Sequence, residues 1–478
     1  MVSLHSKKTM LVAGYICFNT VLTFVLFFFT YGWVFVSFFL VGGHARDLVG
    51  ILYQLVNMGA ISRPVPDIPD GEANTVCCLV PVYNEDPVLL KKNLNCLTTQ
   101  NLSPRTTVII LLIFDGLGEH NRLLFEVINR NIEYDSSVEK FRPQQQRSFR
   151  SWKGGEDTRL NFREGRYNGV TVVLSYKEQR AGKKDSLITG ERFILERWGA
   201  VDYIYHTDAD TVADENCLNE LLKSLYHDKD LDGVSALLRT YGAQNAPVLA
   251  RGFVVMQDFQ YFYSLVVRRM TESLMSSTTC LPGCGNMIRV GEKSSVALEA
   301  YGHRPTRPGN LLQTVTRMQG TDRRYTTLLL KQGANLRMNW RAVAHTEPPL
   351  SAPSFVAQRR RWSSNSFFNS IIVLGVDRVP LYVKVSTAVD IGRVFSTPLR
   401  FASYLFFWVS LDAFSVTNMV TLSVFLAIPY VYACAWMVSI VPQWKGMLLG
   451  MVLSKVCMPF LSTVSVTMMY LTATNFAW

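Results

Sequence analysis

The stretch VDYIYHTDADT at residues 201–211 joins a short β-type apolar run to two aspartates one residue apart. The apolar runs at 76–80, 108–114 and 170–174 are built in the same way, since each is followed by a polar turn and then by a helical stretch. Short apolar runs that alternate with helices predict an α/β domain with a parallel sheet. In such sheets ligands bind beyond the carboxyl ends of the strands, so the turns that follow the strands are the candidate ligand-binding segments.

Each predicted strand runs into polar residues suited to binding a nucleotide. The four turns carry PVYNED at 81–86, Asp115-Gly116, GKKDS at 182–186 and TDADT at 207–211. An isolated Asp-x-Asp after a strand is more often a solvated turn or a helix cap than a metal site. Taken together, however, the four polar turns quoted above, in this order within one domain, predict a nucleotide site.

The Asp-x-Asp pair predicts a metal ion at that site. The chain has no Gly-rich phosphate loop, so a divalent ion must stabilise much of the charge that forms on a departing nucleotide diphosphate. Hard cations such as Mg²⁺ and Mn²⁺ prefer carboxylate oxygens together with substrate phosphates. We therefore expect Asp210 to bind Mg²⁺ or Mn²⁺ and Asp208 to contact the nucleotide, while Lys183 adds a positive charge near the diphosphate.

The composition separates a soluble middle from two membrane-like ends. Apolar residues make up 49% of the 478 residues and are concentrated at both ends, and the net charge is +11. Because the Lys and Arg residues form no RNA- or DNA-binding module, we expect no nucleic-acid partner and assign the charge to diphosphate binding and to the positive-inside bias of membrane proteins. Nine cysteines without a C-x-x-C pair predict reduced cytosolic thiols, with neither a disulfide framework nor a zinc site.

Both ends are long enough to cross a bilayer more than once, since one helix spans it with roughly 20 residues. Region 1–63 is expected to hold two spans, about 9–29 and 34–56, although the polar residues within 44–47 leave open one span followed by an interfacial helix. Region 399–478 is expected to hold about three spans. This two-plus-three arrangement places the basic residues near both ends on the same side as the central domain, as the positive-inside rule requires for a cytosolic domain.

Three downstream motifs carry a family resemblance. They are CLPGC at 280–284, GTDRRYTTLLLK at 320–331 and QRRRW at 358–362. The set resembles chitin synthases, within the wider group of processive inverting glycosyltransferases that includes hyaluronan and cellulose synthases. The resemblance covers roughly 75–369, and the uninterrupted QRRRW with the leucine-rich run after Asp322 is similar to chitin synthase in particular.

The resemblance implies a fold and a division of the chain. The fold would be an α/β nucleotide-sugar glycosyltransferase domain of GT-A type, with a mixed, mostly parallel sheet, embedded between transmembrane helices. Residues 1–63 would form the N-terminal membrane region and 64–352 the cytosolic transferase domain. Interfacial amphipathic helices with QRRRW would follow at 353–398, and the C-terminal membrane region would occupy 399–478.

The resemblance also implies roles for individual residues. The uridine would be read by Glu85 and Asp115, in a slot shaped by Pro81 and Tyr83. UDP and its metal would be held by Lys183, Asp208 and Asp210. The acceptor and the diphosphate side would be lined by Gln358, Arg361 and Trp362, with Gly283 and Cys284 as part of the acceptor wall. Asp322 would be the general base.

Chemistry supports the assignment of Asp322. Inversion requires a hydroxyl of the growing chain to attack from the face opposite UDP, and a carboxylate at that hydroxyl can take the proton. Trp362 offers a flat apolar face on which a sugar ring can stack. One position departs from the family: Thr321 stands where chitin synthases normally have Glu, which removes one possible influence on the pKa of the base. We expect Asp322 to suffice.

The expected function is transfer of N-acetylglucosamine from UDP-GlcNAc to a growing β-1,4 chitin chain, with inversion and secretion of the polymer through the protein's own membrane channel. The expected partners are UDP-GlcNAc, the chitin chain and the lipid bilayer, and a homo-oligomer is left open. The protein would be a multi-pass protein of the plasma membrane with a cytosolic catalytic domain. Two alternatives stay open: a synthase of hyaluronan or another polysaccharide, and a catalytically inactive membrane scaffold subunit.

Overall fold

The fold is described here from a computed structural model. It describes residues 12, 14, 15, 19, 32–133, 145–149, 157–199, 201–241, 247–303, 311–319, 321–402, 416–442 and 444–472. The first predicted N-terminal span, about 9–29, lies almost wholly outside the described residues. Residues 403–415, within the predicted third span and its turn, lie outside them as well.

Ten strands form one sheet within the described residues. They are β1 (Asn74–Val82), β2 (Thr106–Phe114), β3 (Gln145–Phe149), β4 (Thr158–Tyr167), β5 (Val170–Lys177), β6 (Tyr203–His206), β7 (Val212–Ala213), β8 (Leu231–Thr240), β9 (Asn286–Arg289) and β10 (Asn335–Thr346). Their order across the sheet is β3-β4-β5-β2-β1-β6-β9-β8-β10-β7. The four strands predicted from apolar runs are β1, β2, β5 and β6, and all four are confirmed.

The centre of the sheet is parallel and its flanks are antiparallel. β1 pairs in parallel with β2 and β6, and β2 pairs in parallel with β5, as predicted. β8 and β10 form the remaining parallel pair. The other five pairings are antiparallel, so the expectation of a mostly parallel sheet was wrong, although the sheet is mixed. The difference arises because β3 and β4 form an antiparallel hairpin. In addition, the short strands β7 and β9 have no long apolar run.

The helices up to residue 274 are α1 (Gly32–Val56), α2 (Met58–Ser62), α3 (Pro87–Thr98), α4 (Glu119–Asn129), α5 (Lys183–Trp198), α6 (Cys217–His227), α7 (Val248–Tyr263) and α8 (Met270–Leu274). A π-helical segment, Ser264–Arg269, joins α7 to α8. The later helices are α9 (Glu292–Gly302), α10 (Leu311–Gln319), α11 (Asp322–Lys331), α12 (Ala352–Leu374), α13 (Leu381–Phe395), α14 (Val416–Ile440) and α15 (Trp444–Leu471).

Local chemistry explains where the elements next to the site begin. Seven of the nine residues of β1 are buried, as expected for a strand covered by helices on both faces. The side chain of Asp86 accepts a hydrogen bond from the Val88 N–H, and Pro87 follows it, so α3 begins directly after the β1 turn. Ser351 caps α12 in the same way, through the N–H of Ser354. These caps fix the loop after β1 and the start of the QRRRW helix.

Two C-terminal helices are long and apolar enough to cross a membrane, at Val420–Ile440 and Trp444–Leu471. α15 packs against α7 and α12, while α14 packs against α1. Helix α15 therefore contacts α7, which packs on β8 of the sheet. It also contacts α12, which carries the QRRRW motif.

Candidate active site

The loop after β1 presents Tyr83 and Glu85 beside the loop after β5. Tyr83 is 37% exposed, and the guanidinium carbon of Arg180 lies 4.0 Å from its ring centroid. Pro81, near the end of β1, is half-buried, and so is Glu85. A cation held against an exposed aromatic ring makes a flat, polarised wall of the kind that binds a planar ring. Sequence reasoning missed Arg180, since a lone Arg after a strand has no distinctive signal.

Asp115 fixes the loop that leads into α5. The amide N–H groups of Ala181 and Gly182 donate to its two carboxylate oxygens at 2.9 and 2.8 Å, and Lys177 Nζ lies 2.7 Å from Oδ1. Gly182 has a φ of 95°, in the left-handed region that favours glycine. Asp115 is buried and fully engaged within the protein, so it shapes the cleft by holding this loop.

Lys183 and Asp208 form an ion pair across the cleft. Lys183 is the first residue of α5, and Asp208 follows β6, so the ends of two neighbouring elements supply opposite charges. Nζ of Lys183 donates to Oδ1 of Asp208. Although burial acts against the charge of Lys183, Asp208 and Asp322 raise the pKa of this lysine above its ordinary value. It is therefore a permanent cation that a diphosphate could reach.

Four carboxylates, Glu85, Asp208, Asp210 and Glu347, come together at the carboxyl end of the sheet, and we call them the acidic cluster. Burial, and then the charges of Asp210 and Asp208, raise the pKa of Glu85 to about 8. Burial and Asp208 raise the pKa of Asp210 to about 7. Glu347 follows β10 and contributes to both shifts. Glu347 could not be found from the sequence pattern, because it reaches the cluster at the end of β10, which lies far along the chain.

The acidic cluster fits a divalent cation shared with a ligand. Its carboxylates repel one another, as the raised pKa values show, and a hard cation would relieve that repulsion. Among the described residues, no group of three or more His, Cys, Asp or Glu side chains is arranged to hold a metal ion by itself. A Mg²⁺ or Mn²⁺ ion here would need substrate phosphates as ligands beside one or two carboxylates.

Asp322 faces the same cleft from the start of α11. The Gly283 N–H donates to its Oδ2 at 3.4 Å, and the Thr321 hydroxyl donates to its Oδ1 at 2.9 Å. A Cβ on Gly283 would lie 3.5 Å from the Cβ of Asp322 and 3.8 Å from Nζ of Lys183, so the loop passes close to both groups. The structure thus brings Asp322, Gly283 and Lys183 together, and Thr321 acts directly on the proposed base.

Cys284 lies in the same wall. Burial raises the pKa of its thiol well above the ordinary value, and Asp208 and Asp210 raise it further. The neutral form of the thiol is therefore favoured, and a neutral thiol is a poor nucleophile. This leaves Cys284 a packing role in the wall of the cleft.

A buried hydrogen-bond chain braces β6, α5 and α11 behind the cleft. His206 contacts Glu191 at 3.1 Å, and the Tyr325 hydroxyl donates to the other Glu191 oxygen at 2.7 Å. The second ring nitrogen of His206 lies 3.0 Å from Asn286 Oδ1. Although burial acts to lower the pKa of His206, Glu191 raises it. These residues hold the elements that carry Lys183, Asp208 and Asp322 in register, and sequence reasoning missed them because they are scattered singly.

QRRRW lies on α12, where Trp362 presents a partly exposed aromatic ring beside α7. Trp362 is 42% exposed, and its ring centroid lies 5.8 Å from that of Tyr261 on α7. The guanidinium of Arg359 lies 4.5 Å from the Trp362 centroid. Gln358 is half-buried one turn earlier, three and four residues before Arg361 and Trp362, so the three share one side of the helix. Burial and then Arg360 lower the pKa of Arg361, while Asp322 acts in the opposite direction, so this helix lies within electrostatic reach of Asp322.

The fold defines the class of protein. The structure matches that of the mannosyltransferase PcManGT from Pyrobaculum calidifontis, solved with GDP-Man and Mn²⁺, with a TM-score of 0.50 and 16% sequence identity, over 88% of this chain and 99% of that one. The chain therefore has a GT-A-like mixed α/β fold.

The family follows from the sequence match. Residues 76–375 match the model of the chitin synthase-like glycosyltransferase domain. This stretch is more than half of the chain, and the protein belongs to that family. The resemblance expected from CLPGC, Asp322 and QRRRW is confirmed, and the chain contains a glycosyltransferase domain.

Curated relatives are distant but extensive. Chitin synthase 8 of Verticillium dahliae is 22% identical over 461 residues, which cover 80% of this chain and 73% of the relative. Chitin synthase csmA of Emericella nidulans is 22% identical over 466 residues, covering 86% of this chain and 24% of that protein. The chain thus spans about three quarters of the first relative and about a quarter of the second.

Proposed function

We propose that this protein transfers N-acetylglucosamine from UDP-GlcNAc to the end of a β-1,4-linked chain, with inversion, and so acts as a chitin synthase. The observation that carries the proposal is the convergence of Asp322, Gly283 and the Lys183–Asp208 pair in one cleft. A base, an acceptor wall and a diphosphate-binding cation thus lie within contact of one another. The family match and QRRRW favour chitin over the other polymers.

The donor would lie along the carboxyl ends of β1, β2 and β6. In this arrangement Tyr83 and Arg180 flank the uracil ring, Pro81 and Glu85 close its edge, and Asp115 supports the pocket through the loop it holds. Lys183 would bind the diphosphate in place of its present partner, Asp208. Asp210 and Asp208 would hold Mg²⁺ or Mn²⁺, which when bound supplies positive charge to the departing UDP.

The acceptor would enter from the α12 side. Its terminal sugar would stack on Trp362, with Gln358 and Arg361 on the same side of the helix and Gly283 and Cys284 on the opposite wall. Such stacking holds the attacking hydroxyl close to the anomeric carbon, which lowers the entropic part of the barrier.

The chemical step balances within these groups. The acceptor hydroxyl oxygen forms a bond to C1 of N-acetylglucosamine while the bond from C1 to the UDP oxygen breaks. Asp322 takes the hydroxyl proton, and the electron pair of the broken bond leaves on UDP. The hydrogen bonds from Gly283 and Thr321 would hold the carboxylate of Asp322 in the attack geometry.

We propose that the domain limits and topology inferred from the sequence apply here: membrane helices in 1–63 and 399–478, a cytosolic transferase domain at 64–352 and interfacial helices at 353–398. The two apolar C-terminal helices and the packing of α15 on α12 support this arrangement. The polymer would leave through a channel between these helices, most directly from the acceptor side.

Polymer synthesis by the purified full chain tests the proposal. The protein would be supplied with labelled UDP-GlcNAc, UDP-glucose, or UDP-GlcNAc with UDP-glucuronate, each with Mn²⁺, and the product digested with chitinase. We expect chitinase-sensitive polymer from UDP-GlcNAc alone. Polymer that requires UDP-glucuronate or arises from UDP-glucose would identify another synthase, and no incorporation from any sugar would favour the inactive scaffold. Asp322→Asn serves as the matched negative control.

A further inference from the structure

Four arginines gather around two carboxylates where α1, the π-helical segment and α13 meet. Arg46 comes from α1, Arg268 from the π-helical segment, Arg393 from α13, and Arg400 from the residues after α13. We call Arg46, Arg268, Arg393 and Arg400 the arginine cluster; the carboxylates are Asp47 and Asp390. Four guanidinium groups facing two carboxylates leave two positive charges without an opposite charge.

The two carboxylates are already engaged by the first two arginines. Arg46 donates to Asp47 Oδ1 at 2.6 and 2.9 Å, and it also pairs with Asp390. Arg268 lies 3.4 Å from Asp47 Oδ1 and 4.0 Å from Asp390 Oδ1. The hydroxyl of Tyr263 donates to the other oxygen of Asp47 at 2.8 Å. Both oxygens of Asp47 are thus occupied, and Oδ1 of Asp390 is shared by Arg46 and Arg268.

Arg393 supplies the second observation. Its Nη1 is buried and has no hydrogen-bond partner among the described residues. Burial, Arg268 and Arg46 together lower the pKa of Arg393 to about 10, so it remains charged at neutral pH. Arg400 lies near Arg393, Arg268 and Asp390 and adds a further positive charge. A buried guanidinium with an unsatisfied donor is costly unless an anion binds it.

Few carboxylates flank the cluster along the sequence. No Asp or Glu lies within residues 1–46, and Asp412 is the one carboxylate side chain within residues 391–478. The four arginines and two aspartates therefore carry a net positive charge among the described residues.

The cluster is accessible from one side. About a third of the side chains of Asp390 and Arg268, 34% and 29%, remains exposed. With α1 as the interfacial helix that the polar residues within 44–47 leave open, and with Arg400 at the start of the C-terminal membrane region, the cluster would lie near the cytosolic face of the membrane. Planar guanidinium groups bind phosphate oxygens in pairs, which makes phosphate the anion that best fits four arginines.

We propose that the arginine cluster binds a phosphate group, supplied by the headgroup of an anionic lipid from the adjacent bilayer. Arg393 and Arg400 would bind the phosphate oxygens, while Arg46 and Arg268 stay in their ion pairs and hold the site together. The lipid would tie α1, the π-helical segment and α13 to one another. This site is separate from the donor cleft, and its only dependence on the proposed function is the membrane orientation.

The experiment uses the purified, delipidated full chain in neutral detergent. Dioctanoyl phosphatidylglycerol, dioctanoyl phosphatidylcholine and inorganic phosphate are titrated separately, and bound ligand is counted by native mass spectrometry. We expect saturable binding of phosphatidylglycerol, with at least tenfold weaker binding of the neutral lipid. Because each basic residue contributes about fivefold to anionic-lipid binding, Arg393→Gln and Arg400→Gln should each weaken it roughly fivefold or more.

Lys384→Gln is the matched control. Lys384 lies on the same helix nine residues before Arg393, about half a turn away around the helix axis, so it removes one charge from the opposite side. Binding within twofold of wild type is expected for this variant, and Arg393→Lys, which keeps the charge, should retain most binding. Melting temperatures confirm that each variant is folded, and Arg400→Gln tests the site if Arg393→Gln does not fold.

The outcomes are distinct. Tight binding of inorganic phosphate as well as phosphatidylglycerol would support the phosphate site and identify a soluble anion as a second source. Equal binding of neutral and anionic lipid, or wild-type affinity for phosphatidylglycerol in both folded Gln variants, would overturn the proposal and make the cluster an internal ion-pair network. Because no nucleotide sugar is present, neither result bears on the transferase reaction.

Discussion

The acidic cluster and the arginine cluster are both groups of like charge, but they manage that charge in opposite ways. In the acidic cluster, Glu85 and Asp210 have pKa values raised to about 8 and 7, so protons can relieve the repulsion. In the arginine cluster, Arg393 stays charged because its pKa is lowered only to about 10. Without a cation, the acidic cluster can reduce its charge by binding protons. The arginine cluster cannot lose its charge near neutral pH, so it needs a bound anion.

The difference matches the tasks we propose. A donor site must bind a metal and a nucleotide in each cycle and release the nucleotide, which suits carboxylates that exchange protons for a cation. A lipid site that joins α1 to α13 has no need to release its ligand, and arginines that never lose their charge suit it. The comparison can be tested from both sides.

The largest effect should come from the acidic cluster. Asp210→Asn keeps the size of the side chain but removes a metal ligand, so turnover of UDP-GlcNAc should fall about 10³-fold, since a bound metal contributes several kcal/mol to the transition state. Initial rates over a Mn²⁺ titration would measure it. Arg393→Gln, at the arginine cluster, is expected to alter lipid binding and not the Mn²⁺ requirement. A Mn²⁺ response in Asp210→Asn equal to that of wild type would remove Asp210 from the metal site.

The next effect concerns the base. Asp322→Asn retains the shape of the side chain but cannot take the proton, so turnover should fall by about 10²-fold or more while UDP-GlcNAc binding is unchanged. Isothermal titration gives the affinity and product release gives the rate. Near-normal polymer synthesis by this variant would place the base elsewhere in the cleft.

The pH dependence should separate the two clusters. Mn²⁺ binds the ionised carboxylate of Asp210, so its affinity should fall about tenfold for each pH unit below 7, where Asp210 takes up a proton, and level off above that pH. Without metal, the raised pKa values of Glu85 and Asp210 should make the free energy of unfolding fall as pH rises from about 4 to 8, because the unfolded state loses its protons first.

Binding of phosphatidylglycerol at the arginine cluster, in contrast, should change little between pH 6 and 8.5. Calorimetric titrations of Mn²⁺ and of the lipid across this range make the comparison, with Asp210→Asn as the control for the Mn²⁺ slope. A Mn²⁺ affinity independent of pH would contradict the raised pKa values of the acidic cluster.

The smallest effect should come from Thr321. Its hydroxyl donates to Asp322 at 2.9 Å, and a hydrogen bond of this kind contributes about 1 kcal/mol, so Thr321→Val should slow turnover about fivefold. Thr321→Ser, which keeps the hydroxyl, is the matched control and should behave like wild type. Wild-type turnover by Thr321→Val would show that the hydroxyl does not act on Asp322.

The sequence predicted those parts of the fold and site that are local along the chain. Long apolar runs identified β1, β2, β5 and β6, and the motif order identified the family that residues 76–375 confirm. Asp208, Asp210 and Lys183 could be predicted because each directly follows a strand or begins a helix. Short elements could not, so β7 and β9 were missed and the share of antiparallel pairing was underestimated.

What could not be predicted depends on residues that meet only in the folded chain. Glu347 reaches the acidic cluster because β10 pairs with β8, and the Glu191–His206–Tyr325 chain exists because three elements pack together. Arg46 gave a hint as a charge inside an apolar stretch, but its partner Asp390 lies far along the sequence. Single polar residues carry no periodic signal, and only tertiary packing determines their partners.

We propose that the acidic cluster and Asp322 form a metal-dependent UDP-GlcNAc transferase site. Its most direct test is incorporation of labelled N-acetylglucosamine by the purified full chain, measured in Mn²⁺ and again in excess EDTA followed by added Mn²⁺. We expect chitinase-sensitive polymer in Mn²⁺, no polymer in EDTA, and recovery of polymer synthesis when Mn²⁺ is restored. Undiminished polymer synthesis in EDTA would contradict the metal site, and absence of polymer in Mn²⁺ from a folded protein that binds UDP-GlcNAc would contradict the transferase itself.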